Sequence, residues 1–310
     1  MELGQVLGAL PPIVDPNVLH GAAARDDAAV YRIAPDRALV ATIDFFTPIV
    51  DDPYAYGAIA AANALSDVYA VGARPLFALG VTAFPRAKLS AGLLEKIVRG
   101  GADKMTEAGV AVVGGHSVDD SEPKFGYAVI GEVNPASAID HEGARAGDII
   151  FLTKPLGSGL VATAIKRGLC PPDVEQAAIA VMTTLNRAAS EAMVEAGATA
   201  ATDVTGYGLI GHLANLQGGA EVDFKAVPFI EGARDLAMRD LFPDGSRRNH
   251  AAYRDQVDWS GLGETEQMML CDAQTSGGLL VAIPAEKAGG FRHGTRIGVM
   301  RDDGVIRILA

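Results

Sequence analysis

Cysteine is scarce in this chain. Cys170 and Cys271 are the only two in 310 residues, and neither has a CxxC neighbour or zinc-type histidine spacing around it. A disulfide scaffold and a structural zinc site are thereby excluded, and the usage fits a reduced, cytoplasmic protein. Dense runs of Lys or Arg are missing too, and the formal net charge is -12. Nucleic acid is not the expected partner, because phosphate backbones need a basic footprint. Any anionic ligand must arrive neutralised by metal. No stretch of 18 apolar residues occurs, and the first twenty residues lack a basic segment leading into an apolar core, so neither a membrane span nor an export signal is expected. There is no Walker motif and no GxGxxG fingerprint, which argues against the P-loop and dinucleotide-fold routes to nucleotide binding. Finally, no Cys or Lys precedes Asp27. A reaction that needs a nucleophile near the N-terminus does not find one in this stretch.

What is present reads as an ordinary globular interior, with 49% hydrophobic and 21% charged residues, and the length suits two domains, each with its own core. The first half alternates strand patterns (28–33, 38–44, 76–84, 110–113, 125–133) with an Ala-rich helix over 54–71 and an amphipathic helix over 90–108. Composition turns polar near 134–147, which sets a boundary between an N-terminal domain (1–136) and a C-terminal domain (145–310). The second half mixes strands at 148–152, 199–203, 278–283, 295–299 and 305–308 with helices within 158–167 and 173–195, from Gly208 and from Ala285. Residues 242–266 show little period and read as a long loop. The fold class is α/β, with helices covering one face of a sheet. The strands 38–43, 76–82 and 125–131 are apolar well beyond strict alternation, so their other face calls for a symmetric partner.

Four aspartates stand in apolar surroundings: Asp27, Asp44, Asp67 and Asp203. An ionised carboxylate buried without a partner is costly, and several together suggest a hard divalent metal, Mg²⁺ carrying a phosphorylated ligand. Asn63 and Asp67 lie four apart on one helix and share a face, and no Lys, Glu or Arg occurs between Ala55 and Gly72 to make that face a solvated one. Metal or ligand binding is one reading of this pair; satisfying buried backbone groups is the other. Asp44 and Asp203 each end a strand, where open α/β sheets present ligand groups, although Asp203 before Val204-Thr205-Gly206 also suits a helix N-cap. Gly114-Gly115-His116-Ser117 follows a strand and reads as a turn whose amides suit a phosphate. His116 suits a general base and a hydrogen-bonding loop histidine equally. Together the four aspartates are expected to converge on one cleft.

These segments, in this order, resemble the selenophosphate synthetase (selenide, water dikinase) family of the aminoimidazole ribonucleotide synthetase-like superfamily. The resemblance rests on Arg25-Asp26-Asp27-Ala28, on Asp44-Phe45-Phe46-Thr47-Pro48-Ile49-Val50-Asp51, on Asn63-Ala64-Leu65-Ser66-Asp67 and on Gly114-Gly115-His116-Ser117. It continues through Leu152-Thr153-Lys154-Pro155-Leu156-Gly157, Thr202-Asp203-Val204-Thr205-Gly206 and Gln274-Thr275-Ser276-Gly277-Gly278. It implies two α/β domains whose N-terminal halves pair across a homodimer into a barrel, and a reaction turning ATP, selenide and water into selenophosphate, AMP and orthophosphate. It further implies Asp27, Asp67 and Asp203 as Mg²⁺ ligands with Asp44 in the same metal–nucleotide cluster. Ala24, Arg25, Asp26, Asp44, Asp67, Gly115, His116 and Ser117 would then contact ATP, the last three from the partner subunit. Family members carry a Gly-rich loop with a Cys or selenocysteine and a Lys ahead of the Arg25-Asp26-Asp27 match, and that loop is expected to lie upstream of Met1. Residues 1–310 alone are then expected to bind Mg·nucleotide without turnover. A nucleotide-binding pseudoenzyme and a sister enzyme such as thiamine-monophosphate kinase are the alternatives.

Overall fold

The computed structural model describes residues 13–21, 27–85 and 90–310. Its first sheet is built from β1 (Val18–His20), β2 (Ala29–Ala34), β3 (Arg37–Phe46), β4 (Arg74–Ala83), β5 (Ala111–Val118) and β6 (Lys124–Val133), in the order β1-β2-β3-β6-β4-β5. Pairing is antiparallel except between β4 and β5, which run parallel. Helices α1 (Pro53–Ala70) and α2 (Ala91–Glu107) cover one face. The start of α1 is set by Asp52, whose carboxylate accepts from the Ala55 amide at 2.7 Å, with Pro53 at the first helical position, where its missing N–H costs nothing. Gly72, at φ 70°, lies just past its end.

α1 has almost no polar face beyond Asn63, Ser66 and Asp67 because both sides are covered. One side packs on β3 and β6, and the other meets α4 (Pro172–Thr183), α5 (Arg187–Ala196) and β8 (Ala200–Asp203) of the second half. Tyr56, Ile59 and Leu65 are fully buried along it, each contributing on the order of 1.5–3 kcal/mol of burial. One continuous core therefore runs from Val30 and Val40 through α1 to Leu160 and Met182.

The second sheet contains β7 (Ile149–Leu152), β8, β9 (Gly219–Asp223), β10 (Val257–Asp258), β11 (Leu279–Ile283), β12 (Thr295–Arg301) and β13 (Ile306–Leu309), in the order β10-β13-β9-β12-β7-β11-β8. Around it lie α3 (Ser158–Lys166), α6 (Gly208–Asn215), α7 (Ala233–Met238), α8 (Asp244–Tyr253), α9 (Glu264–Leu270) and α10 (Ala285–Ala288).

Two expectations need correction. The stretch 242–266 is not a loop: it holds α8, β10 and the start of α9. The apolar period is missing because the buried residues of α8 are Ser246 and Asn249. Ser246 Oγ donates to Asp272, and Asn249 donates to the carbonyls of Gly206 and Cys271, so polar bonds dock this helix. Gly114, Gly115, His116 and Ser117 form no turn either but continue β5. A Cβ on Gly115 would lie 2.2 Å from the Gly80 carbonyl, so this glycine permits the parallel pairing with β4.

Candidate metal–nucleotide site

The four aspartates come from four different elements and meet where the two halves join. Asp27 precedes β2, Asp44 lies on β3, Asp67 is in the last turn of α1 and Asp203 closes β8. Three of them have an orienting donor. Thr202 Oγ1 donates to Asp27 Oδ1 at 2.9 Å, Thr42 Oγ1 donates to Asp67, and Asn63 Nδ2 donates to Asp44 Oδ2 at 2.8 Å. The Thr202–Asp27 bond ties the N-terminal segment to the strand that carries Asp203.

Electrostatics show that these groups share one environment. Burial pushes the Asp67 carboxyl well up, and Asp203, Asp44 and Asp27 each add to the rise. Burial also raises Asp44 to about 7, followed by repulsion from Asp203, while the Asn63 bond opposes it. Asp203 is raised chiefly by burial, against a Ser66 hydrogen bond and the Lys154 ammonium. It is 2% exposed, and its Oδ2 is a buried oxygen with no hydrogen-bond partner. It is not a helix N-cap: Tyr207 precedes α6, without a side-chain cap.

Mutually repelling carboxylates with an orphaned buried oxygen fit a hard divalent cation. Among the described residues, no three His, Cys, Asp or Glu are grouped tightly enough to hold an ion with protein atoms alone.

Asn63 satisfies a buried backbone group, the second of its two readings, and also reaches an aspartate of the cluster. Its Oδ1 accepts the Ser276 amide at 2.9 Å while its NH₂ faces Asp44. Lys154, 6% exposed, donates to the Ser276 carbonyl at 3.1 Å, and burial lowers its pKa to about 7 against the pull of Asp203. A cavity of about 910 Å³ lies between residues 47–51, which continue the chain beyond β3, and α3 with Thr275.

The remaining candidates divide. Ala24, Arg25 and Asp26 lie outside the described residues. Gly115 is in register with Asp44 through Tyr127 and Gly80, and strands stand about 4.8 Å apart, so it sits roughly 14 Å across the sheet from Asp44. Gly115, His116 and Ser117 are exposed on the edge strand, so within one protomer they are not part of the acidic cluster.

Three polar contributors escaped the sequence reading: Thr42, Asn186 and His212. His212 is buried, its Nε2 accepts the Thr205 amide at 3.1 Å, and its Nδ1 lies 3.1 Å from Thr202 Oγ1. Accepting at Nε2 leaves the proton on Nδ1. The chain of bonds then runs from His212 to Thr202 to Asp27. Only the short i, i+4 and strand-end patterns of the aspartates were visible in sequence, and these partners lie far along the chain.

Two α/β halves with carboxylates at their seam define the class. Residues 25–133 match the AIR synthase related protein N-terminal domain and residues 145–296 the C-terminal domain, so the chain belongs to the AIR synthase related proteins. A solved structure, AaThiL complexed with AMPPCP and TMP, superposes with a TM-score of 0.69 at 20% identity, covering 91% of this chain and 87% of that one. Hydrogenase maturation protein HypE in complex with ATP superposes at 0.66 and 22% identity, covering 95% and 87%. Both share the fold. The chain belongs, more narrowly, to the selenide, water dikinase family: it is 50% identical over 289 residues to the selenide, water dikinase of Carboxydothermus hydrogenoformans, covering 92% of this chain and 84% of the relative.

Proposed function

We propose that this chain is a selenide, water dikinase, forming selenophosphate from selenide, ATP and water with release of AMP and orthophosphate. The observation that carries the reading is the convergence of Asp27, Asp44, Asp67 and Asp203 in a chain half identical to enzymes of that name. At 20% identity, the likeness to AaThiL supports a common fold and gives no reason to prefer the ligands of that structure.

In this reading Asp27, Asp44, Asp67 and Asp203 hold Mg²⁺, and the nucleotide's phosphates lie against them. Bound Mg²⁺ supplies charge neutralisation at the phosphate oxygens and polarises the phosphoryl group. The protein orients its carboxylates: Thr42, Asn63 and Thr202 fix three of them by donated hydrogen bonds. Ala24, Arg25 and Asp26 contact ATP, as do Asp44 and Asp67, and Gly115, His116 and Ser117 contribute from the edge strand of a partner subunit. The N-terminal domain, 1–136, binds nucleotide and pairs two subunits, and the C-terminal domain, 145–310, supplies Asp203 and closes the site. No helix among the described residues is long and apolar enough to cross a membrane, and we place the enzyme in the cytoplasm.

The test is AMP release measured with and without selenide, and AMP should appear only when selenide is present. AMP release indifferent to selenide, or turnover of thiamine monophosphate in its place, would refute the assignment.

A further inference from the structure

Asn186 stands immediately before α5, where an asparagine side chain ordinarily accepts a bond from a first-turn amide. Here it makes no such cap. Its amide nitrogen points away from its own helix and donates to Ser66 Oγ at 2.9 Å and to the Gly277 carbonyl at 2.9 Å. Asn186 is 3% exposed and Ser66 0%, so neither bond is shared with bulk water. Ser66 lies next to Asp67 on α1, and its hydroxyl is the side-chain neighbour that opposes the burial-driven rise of the Asp203 carboxyl. A hydroxyl has one proton. With the Asn186 N–H on its lone pair, Ser66 is left to donate that proton to Asp203.

The second bridge is built the same way. The Ser276 amide donates to Asn63 Oδ1 at 2.9 Å. An amide whose oxygen is occupied by a donor must turn its NH₂ the other way, and that NH₂ meets Asp44 Oδ2 at 2.8 Å. Ser276 is pinned at its other polar atoms, with Oγ donating to the Met182 carbonyl at 2.6 Å and its carbonyl accepting from Lys154 at 3.1 Å. It holds φ at 50°, a conformation non-glycine residues adopt at a cost and only where surroundings enforce it.

We propose that Asn186 and Ser276 are positioning residues. Neither is a metal or nucleotide ligand; each aims one aspartate of the site, Asn186 through Ser66 onto Asp203 and Ser276 through Asn63 onto Asp44. The C-terminal half thus sets the donor geometry of a carboxylate, Asp44, that belongs to the N-terminal half. The proposal rests on the reading of those aspartates as Mg²⁺–nucleotide ligands.

Ser190 provides the control. It sits on the same helix, α5, is equally buried, and crosses the same junction, with Oγ donating to the Tyr69 carbonyl at 2.7 Å. Its bond reaches no aspartate. Calorimetric titration with Mg²⁺ and AMPPCP, alongside thermal unfolding, is carried out on the full chain and on Asn186→Ala, Asn186→Leu, Ser190→Ala and Asp203→Asn. Loss of an outer partner of a metal ligand typically weakens metal binding roughly ten- to a hundredfold. That loss in Mg²⁺-dependent affinity is expected for Asn186→Ala, and for Asn186→Leu, which nearly keeps the size but cannot donate. Ser190→Ala should melt at lower temperature and keep its affinity, and Asn186→Ala combined with Ser66→Ala should be no worse than the poorer single change. Unchanged affinity in a folded Asn186 variant, or equal affinity loss in Ser190→Ala, overturns the proposal. If Asp203→Asn itself binds as tightly as the parent chain, the metal assignment fails instead.

Discussion

At the scale of single residues, the site is a set of buried polar groups whose protonation is fixed by neighbours. His212 is the clearest case, since burial lowers its pKa to about 4 and protonating Nε2 would set a hydrogen against the Thr205 amide that it now accepts. The unfolded chain takes up a proton near 6.5, whereas the folded chain resists until about 4, so the unfolded state binds more protons between these values. The neutral imidazole's contribution is complete above 6.5 and lost as pH falls to 4. It amounts to roughly 3 kcal/mol at 1.36 kcal/mol per pH unit. The raised aspartates act in the opposite sense, so the comparison must be between two chains. Thermal unfolding of the parent and of His212→Gln from pH 7 to pH 4 should show the parent losing its relative advantage as pH falls. Parallel curves would remove His212 from this role. The aspartates were legible in sequence because each interrupts an apolar run. His212 and Asn186 were not, because their significance lies in Thr202 and Ser66, partners that only the fold brings close.

At the scale of elements, α1 does most to position the site, carrying Asn63, Ser66 and Asp67 on a helix enclosed on both sides. Its close fit with α2 depends on small residues. A Cβ on Gly57 would lie 1.8 Å from the Ile97 carbonyl, and one on Gly100 would lie 2.0 Å from the Tyr54 carbonyl. Because the clash is with backbone, no rotamer change relieves it. Gly57→Ala, which would stabilise an exposed helix by roughly 1 kcal/mol, should instead destabilise this protein by about 1–3 kcal/mol or more. Urea unfolding checks it, and a more stable variant would contradict the packing. Both helices, and most strands, were readable from composition and period, and the structure adds their caps, Asp52 with Pro53 and Ser90. The misreadings share a cause. α8 is docked by Ser246 and Asn249 rather than by an apolar stripe, and Gly114-Gly115 serves close strand approach rather than a turn. A pattern of hydrophobic periodicity does not register either device.

At the scale of the whole molecule, the first sheet is covered on one face and, among the described residues, bare on the other. Asp44 and Tyr127 point toward the helices, and the alternate positions on the strands, Ile43, Phe45 and Leu79, point outward with exposures of 59%, 48% and 39%. Tyr31, Ile33 and Phe77 are exposed as well, and so contiguous an apolar surface is one that soluble monomers seldom leave to water. Excess apolarity in 38–43 and 76–82 made this need legible in sequence, though not which face would remain open. A second copy pairing through this face would bury it symmetrically. It would also bring the partner's edge strand, with its Gly115, His116 and Ser117 positions, toward an acidic cluster that lies too far across the sheet to use them within one chain. Light scattering at micromolar concentration should therefore report a homodimer. Phe45→Glu combined with Leu79→Glu, which charges the open face and leaves the helix-covered core untouched, should yield folded monomer with weakened AMPPCP binding. A parent chain that scatters as a monodisperse monomer would defeat the pairing. A monomeric variant that binds nucleotide as tightly as the dimer would keep the pairing and remove the edge strand from the site.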